Sequence, residues 1–271
     1  MALTEFQRAI CRLIARQRLE SGESYVAGAV ALNTLTGATR ISRDIDLFHD
    51  TTEAVAASWR ADRELLESHG YQIHPQRERD GFVDAEVSSN GQSVVMQWVA
   101  DSAFRFFPLA RHEDFGLTLH PFDLATNKVL ALVGRLEARD WVDVINCHET
   151  IQRLGYLAWA ASGKDPGFSP GAILEQAGRS ARYSASEIAA LSFAGPAPDA
   201  AELSQRWHAM LSEARALVAA LPPAEIGRCV LDEEGNLFIG DAEQLRAALI
   251  DGKVRFHEGR IHGALPRPRA Q

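Results

Sequence analysis

Cysteine is scarce and scattered. Cys11, Cys147 and Cys229 are odd in number and far apart, so neither a disulfide framework nor a zinc knuckle is indicated. Long apolar runs are missing as well. The longest, such as Val129 to Val133 and Leu217 to Leu221, are far too short to cross a membrane. The opening segment MALTEFQRAICRLIARQR spreads its arginines along a helical pattern and has no basic tip followed by an apolar block, so no signal peptide is read there. The expected compartment is cytoplasmic, with no membrane partner. His120, His148 and His208 stand singly, without the H-x-x-x-H or H-E-x-x-H spacing that a metal centre needs. There is no excess of basic charge: the net charge is −8. That balance argues against broad nonspecific affinity for nucleic acid, although a local basic strip would suffice for docking. No internal repeat and no low-complexity segment is found.

What is present is an ordinary globular composition, 46% hydrophobic and 24% charged, in a chain of 271 residues. That is enough for one large domain or two modest ones. The most informative stretch is Tyr25 to His49, YVAGAVALNTLTGATRISRDIDLFH. It reads as strand, glycine turn, short helix and second strand. Alternation along that second strand places Asp44 and Asp46 on one face and Ile45 and Leu47 on the other. Two like charges side by side repel, and a bridging divalent cation relieves the repulsion. The turn Gly28-Ala29 precedes a helix whose N-terminal N–H groups suit an anion. A phosphate cradle one strand from a metal-binding carboxylate pair suggests nucleotide chemistry; the bland alternative is an exposed acidic strand with nothing bound.

The glycine turn, Ala31-Leu32 and the run Arg40-x-Ser42-x-Asp44-Ile45-Asp46-Leu47 resemble the first motif of the AbiEii/AbiGii-toxin-type, MenT-like nucleotidyltransferases of the DNA polymerase β-like superfamily. Further on, the pattern Lys128…Arg139-Asp140-x-x-Asp143 resembles later motifs of the same family. The resemblance covers residues 24 to about 155. It departs from the family at two positions. Gln97 stands on the strand neighbouring the acidic doublet, where many relatives carry a third aspartate. Ala29 stands where they commonly have Gly or Ser. Glutamine can offer a neutral carbonyl but cannot act as a general base. Asp84 and Glu86 share one face of the paired strand and are candidates to substitute, or are simply a solvated hairpin face.

The rest of the chain is read in order. Thr4 to Leu19 is predicted as a helix with a Thr4–Gln7 capping box, and Arg8, Arg12 and Arg16 line one of its faces, either solvated or touching RNA. A helix over 53–68 and a strand from Tyr71 follow, then a hairpin of 82–87 and 93–99 around Asn90-Gly91. Pro121 starts a helix carrying Lys128 among apolar neighbours, where it either snorkels to the surface or holds a phosphate. A second helix near Leu136 carries Asp140 and Asp143, three apart and so on one face. Helices are predicted over 172–177, 184–191 and 200–221. Short strands at 230–231, 236–240 and 254–262 surround a helix at 242–249, with a tight turn at Glu258-Gly259.

The expected fold class is an α/β (α+β) nucleotidyltransferase core with a mixed sheet, followed by an α-helical domain and a small C-terminal β-containing tail, divided as 1–120, 121–225 and 226–271. The resemblance implies an enzyme moving a nucleoside monophosphate from an NTP to an acceptor hydroxyl. In that reading Asp44 and Asp46 hold Mg²⁺ or Mn²⁺. Gly28 and Ala29 cradle phosphates with help from Arg40 or Ser42, Lys128 binds phosphate, and Asp143 orients the acceptor or the nucleotide. Family context suggests a toxin of a bacterial toxin–antitoxin pair with a cognate antitoxin and a tRNA or protein acceptor. The alternatives are a degenerate nucleotide- or partner-binding member, and a small-molecule adenylyltransferase.

Overall fold

The chain enters its first helix through the expected capping box: Gln7 N–H donates to Thr4 Oγ1 (3.1 Å) and Thr4 N–H to Gln7 Oε1 (2.9 Å). Helix α1 (Glu5–Ser21) ends at Gly22 in the left-handed conformation. The computed structural model describes residues 3–179 and 183–266. They fall into two compact units. The first runs to Ala103 and includes Leu109–His120 and Ser192–Gly195; the second comprises Phe104–Pro108, Pro121–Leu191 and Pro196 onward.

In the first unit α1 is followed by β1 (Ser24–Ala27), α2 (Gly28–Thr36), β2 (Asp44–His49), α3 (Thr52–Ser68), β3 (Gln72–Arg79), β4 (Phe82–Ser89) and β5 (Gln92–Ala100). After β6 (Phe104–Arg105), which belongs to the second unit, β7 (Ala110–His112) and β8 (Gly116–Thr118) return to the first. The result is a seven-stranded mixed sheet ordered β3-β4-β5-β2-β1-β8-β7. β2 runs parallel to β5 and β1 to β8, while the other pairs are antiparallel. Asn90 (φ 51°) and Gly91 (φ 75°) both sit at positive φ, the geometry that the Asn-Gly hairpin signal predicts. β7 and β8 were not expected as strands: at three residues each they show too little alternation to be read.

One face of the sheet is sealed by α1 and α3. Trp59 meets Trp98 edge-on at 4.7 Å. Behind them Arg18 pairs with Asp62 at 3.3 Å, both almost fully buried, and Trp98 Nε1 donates to Asp62 at 2.9 Å. Burial pushes the Asp62 carboxyl up, against the pull of Arg18 and the Trp98 and Ser58 donors. On α1, Arg8 and Arg12 do not form an open basic strip: both bind the buried Asp114 carboxylate, at 2.6 and 2.5 Å, and tie the helix to the β7–β8 hairpin. The opposite face of the sheet, carrying Asp44, Asp46 and Gln97, is only half-buried.

The second unit contains α4 (Pro121–Arg135), α5 (Ala138–Thr150), α6 (Leu154–Ala161), α7 (Pro170–Arg179), α8 (Ala185–Ala189), α9 (Ala200–Ala220), β9 (Cys229–Leu231), α10 (Ala242–Ile250), β10 (Arg255–His257) and β11 (Arg260–Ile261). Asp123 on α4 pins the 104–108 segment, accepting from Phe106 N–H (2.8 Å) and Phe107 N–H (3.0 Å), and pairs with Lys164 at 2.8 Å. α9 buries the predicted stripe of Leu203, Trp207, Met210, Leu211, Ala214 and Leu217. Residues 226–266 pack onto the helices of this unit. Tyr156, Trp159, Leu217, Leu221, Val230 and Leu245 form one buried cluster, so the tail shares a core with α6 and α9. Two local expectations are corrected. Residues 236–240 form no strand, since Leu237 makes only an isolated bridge to Leu231. The 254–262 stretch splits, because β10 pairs with β9 while β11 leaves to pair with β6. Among the described residues no helix is long and apolar enough to cross a membrane.

His49, at the end of β2, is fully buried, with Nδ1 3.3 Å from the Val99 carbonyl oxygen. Burial drives its pKa down to about 4, against the Val99 carbonyl, which raises it. The native imidazole therefore stays neutral while the unfolded one takes up a proton below its ordinary pKa of about 6.5. The stability His49 contributes is present above pH 6.5 and lost as the pH falls towards 4, a span of roughly 2–3 kcal/mol. Urea denaturation of the wild type and His49→Gln between pH 7 and 4.5 should show a shallower acid loss in the variant.

Candidate functional site

The site begins with a turn that only glycine fits. β1 ends at Ala27, which faces Asp46 across the antiparallel β1–β2 pair. Gly28 then turns the chain into α2 at φ 65°, and a Cβ there would run into the Asp46 carboxylate. The N-cap residue Ala27 makes no side-chain cap, and the first turn of α2 holds no acidic residue. The Asp46 carboxylate therefore lies at the positive end of a helix dipole. Asp44 shares its face, and both are half-buried, whereas Ile45, Leu47 and His49 on the other face are buried completely.

The approach to β2 is held from two sides. Ile41 N–H donates to the Ser192 carbonyl, Ala194 N–H to the Thr39 carbonyl, and Asn33 Nδ2 to the Arg40 carbonyl. Gln7 Nε2 donates to the Ser42 carbonyl at 2.9 Å. Arg40 and Ser42 are consequently both buried, at 5% and 6% exposure. Their predicted phosphate contacts would come from this rigid edge.

Across the sheet the register is informative. Asp46 stands beside Gln97 on β5, and Gln97 stands opposite Asp84 on β4. Asp44 stands beside Val95, which faces Glu86. Partners in register point to the same face, so Asp46, Gln97 and Asp84 form a row across three strands. Asp84 is 8% exposed, and its Oδ1 is buried without a hydrogen-bond partner.

The remaining predicted residues lie in the second unit. Lys128 Nζ is 3.1 Å from Asp140 Oδ1 and 3.1 Å from Asp143 Oδ2, with all three groups buried. Arg135 adds two hydrogen bonds to Asp140, at 2.6 and 3.0 Å. Burial raises the Asp140 carboxyl, but the hydrogen bond from Arg135 and the charges of Lys128 and Arg135 outweigh it and hold it below the usual range. Lys128 thus ties α4 to α5 and does not snorkel outward. Arg139 pairs instead with Glu137 at 2.6 Å.

No family model matches the chain, and no curated protein matches it. Solved structures do. One is an H. pylori protein proposed to be a nucleotidyltransferase, with TM-score 0.52 and 16% identity over 81% of this chain and 99% of that one. Another is MenT4, the nucleotidyltransferase toxin of Mycobacterium tuberculosis H37Rv, with TM-score 0.52 and 14% identity over 81% of this chain and 83% of that one. The chain has the nucleotidyltransferase fold. The mixed sheet, the helices after it and the C-terminal strand pair are those expected of that fold class.

Within this fold the acidic doublet fits a hard divalent cation. Asp44 and Asp46 supply two carboxylates on one face, and Mg²⁺ is commonly held by one or two carboxylates, with water and substrate phosphates completing its shell. Among the described residues no three His, Cys, Asp or Glu groups gather closely enough to share an ion.

Two substitutions test this geometry without any ligand. Gly28→Ala forces a left-handed alanine and a collision with Asp46, so chemical denaturation should show a loss of about 1–2 kcal/mol or more. Lys128→Met removes the cation that pairs with both buried Asp140 and Asp143, and the same measurement should show a loss of about 3–5 kcal/mol.

Proposed function

We propose that the chain is a metal-dependent nucleotidyltransferase that moves a nucleoside monophosphate from an NTP to an acceptor hydroxyl. The observation that supports it is the close approach of Asp46 to Gly28, which brings one carboxylate of the acidic doublet to the N-terminus of α2. A divalent cation on the Asp44–Asp46 face would let a phosphate approach this helix end despite the carboxylates. Bound Mg²⁺ or Mn²⁺ would neutralise triphosphate charge as the bond to pyrophosphate breaks. Gly28 and Ala29 would offer backbone N–H groups to the phosphates, and Ala29 keeps its N–H while lacking a hydroxyl.

In the second unit the resemblance gives Lys128 a phosphate and Asp143 the acceptor or the nucleotide. An ammonium has three donors; Asp140 and Asp143 take two, and a phosphate-binding role would use the third. The likeness to MenT4, a nucleotidyltransferase toxin, supports a toxin-like function; a cognate antitoxin, a bacterial cytoplasm and tRNA or a protein as acceptor are what the family resemblance implies. A degenerate nucleotide-binding protein is the second reading, and Gln97 in register with Asp46 is the observation that favours it.

Incubation with each α-³²P-labelled NTP, Mg²⁺ and total tRNA, cell protein or small hydroxylated compounds separates these readings. Label on one acceptor fraction is expected, and both EDTA and Asp46→Asn should abolish it. Transfer that survives Asp46→Asn refutes the metal assignment. NTP binding without label on any acceptor selects the degenerate reading.

A further inference from the structure

The second unit holds a groove of about 540 Å³ that no step of the proposed reaction uses. One wall is the irregular segment 237–240, and the other is the face of α10 that carries Gln244 and Ala248. The two walls meet at Gly240, where a Cβ would strike both the Phe238 ring and Gln244. Most of the lining is apolar and the volume is that of a binding pocket, yet the groove lies open to solvent.

The apolar surface at its rim is held in place. Three consecutive carbonyls of the segment are anchored to residues around the start of α6. Phe238 accepts from Gln152 Nε2 (3.0 Å), Ile239 from Arg153 Nε (2.7 Å) and Gly240 from the Tyr156 hydroxyl (2.8 Å). With its backbone fixed in this way, Ile239 displays its side chain at 67% exposure. Single exposed isoleucines are common; one on an anchored backbone beside an apolar groove forms a continuous surface that a partner can cover.

The polar groups of the groove are already engaged. Arg153 pairs with Glu213, and the Asp232 carboxylate accepts from Asn236 N–H and Nδ2 at 2.8 and 3.3 Å. Gln244 Oε1 accepts from Asp241 N–H at 2.9 Å. A small polar ligand would find few directional partners, so recognition is left to apolar burial and to charge. The stretch 229–245 carries five acidic residues and no basic one. Of these, Asp232, Glu234, Asp241 and Glu243 form no ion pair among the described residues. The cations nearby do not offset them. Lys253 pairs with Asp251 at 3.0 Å, and Arg255 donates to the Glu233 carbonyl at 3.3 Å. Arg246, two residues from both Gln244 and Ala248, lies on another face of α10.

We infer that this groove docks a basic amphipathic segment of a partner protein. Its apolar side chains lie against Ile239 and the groove, and its lysines or arginines lie over the acidic stretch. The docking is independent of the nucleotidyltransferase reading, since every residue it uses is in the second unit and none belongs to the candidate site.

Fluorescence anisotropy of labelled peptides with the full chain tests the docking. The probe is a peptide of about 18 residues with leucine and lysine at amphipathic helical spacing. One control replaces its lysines by glutamate, and the other replaces its leucines by serine. The leucine–lysine peptide should bind about tenfold or more tighter than either control, and lose about threefold or more as salt rises from about 50 to about 500 mM. Ile239→Asn should weaken it about tenfold. Ile261→Asn, at a similarly exposed isoleucine outside the groove, should leave binding within about twofold. The double variant Glu234→Gln/Glu243→Gln gives an independent reading and should weaken binding about threefold. All three variants should melt within about 2 °C of wild type, because the altered side chains are exposed. Equal affinity for the three peptides, or preference for the acidic one, overturns the inference. So does binding that ignores Ile239→Asn or the double variant, or that Ile261→Asn weakens equally. Self-association of the chain without peptide, seen by sedimentation and abolished by Ile239→Asn, would make the occupant a second copy and overturn it as well.

Discussion

The close approach of Gly28 to the Asp46 carboxylate is the constraint on which the candidate site depends. It requires a residue without Cβ, a left-handed turn and the β1–β2 register that sets Ala27 opposite Asp46, all at once. The same contact is electrostatically favourable, since a helix N-terminus draws anions and the Asp46 carboxylate stands there. In the proposed function a divalent cation on the Asp44–Asp46 face would let a phosphate share that end.

Around this point the first unit is made rigid by charges kept out of water. Arg18 and Asp62 meet beneath Trp98, and Asp114 draws Arg8 and Arg12 onto the β7–β8 hairpin. Taking such groups from water is costly, and each is matched by a partner with directional hydrogen bonds. The second unit follows the same rule at Asp123 with Lys164, and at Lys128 with Asp140 and Asp143.

Much of this was legible in the chain itself. The Thr4–Gln7 box, the Asn90-Gly91 turn, the Asp44/Asp46 alternation and the α9 stripe are local signals: each depends on residues within a few positions of one another. The elements that escaped detection are those with little local pattern. α6 is buried on all sides and so shows no amphipathic period. β6, β7 and β8 are two or three residues long and exist because distant partners hydrogen-bond to them. The arginine face of α1 is a case of a correct spacing with two open meanings, settled only when Asp114 arrives from about a hundred residues away.

By itself the sequence determined the order of strands and helices from α1 to β5, the acidic doublet and its glycine turn, and the resemblance that predicted the nucleotidyltransferase fold. Alternation and capping are short-range properties of the backbone and need no folded context. Only the tertiary structure decided that Asp46, Gln97 and Asp84 stand in one row, that Lys128 lies between two aspartates, and that residues 226–266 share a core with α6 and α9. Those facts arise from register and packing between segments far apart in the chain, where hydrogen bonding and burial, and not local propensity, choose the partner.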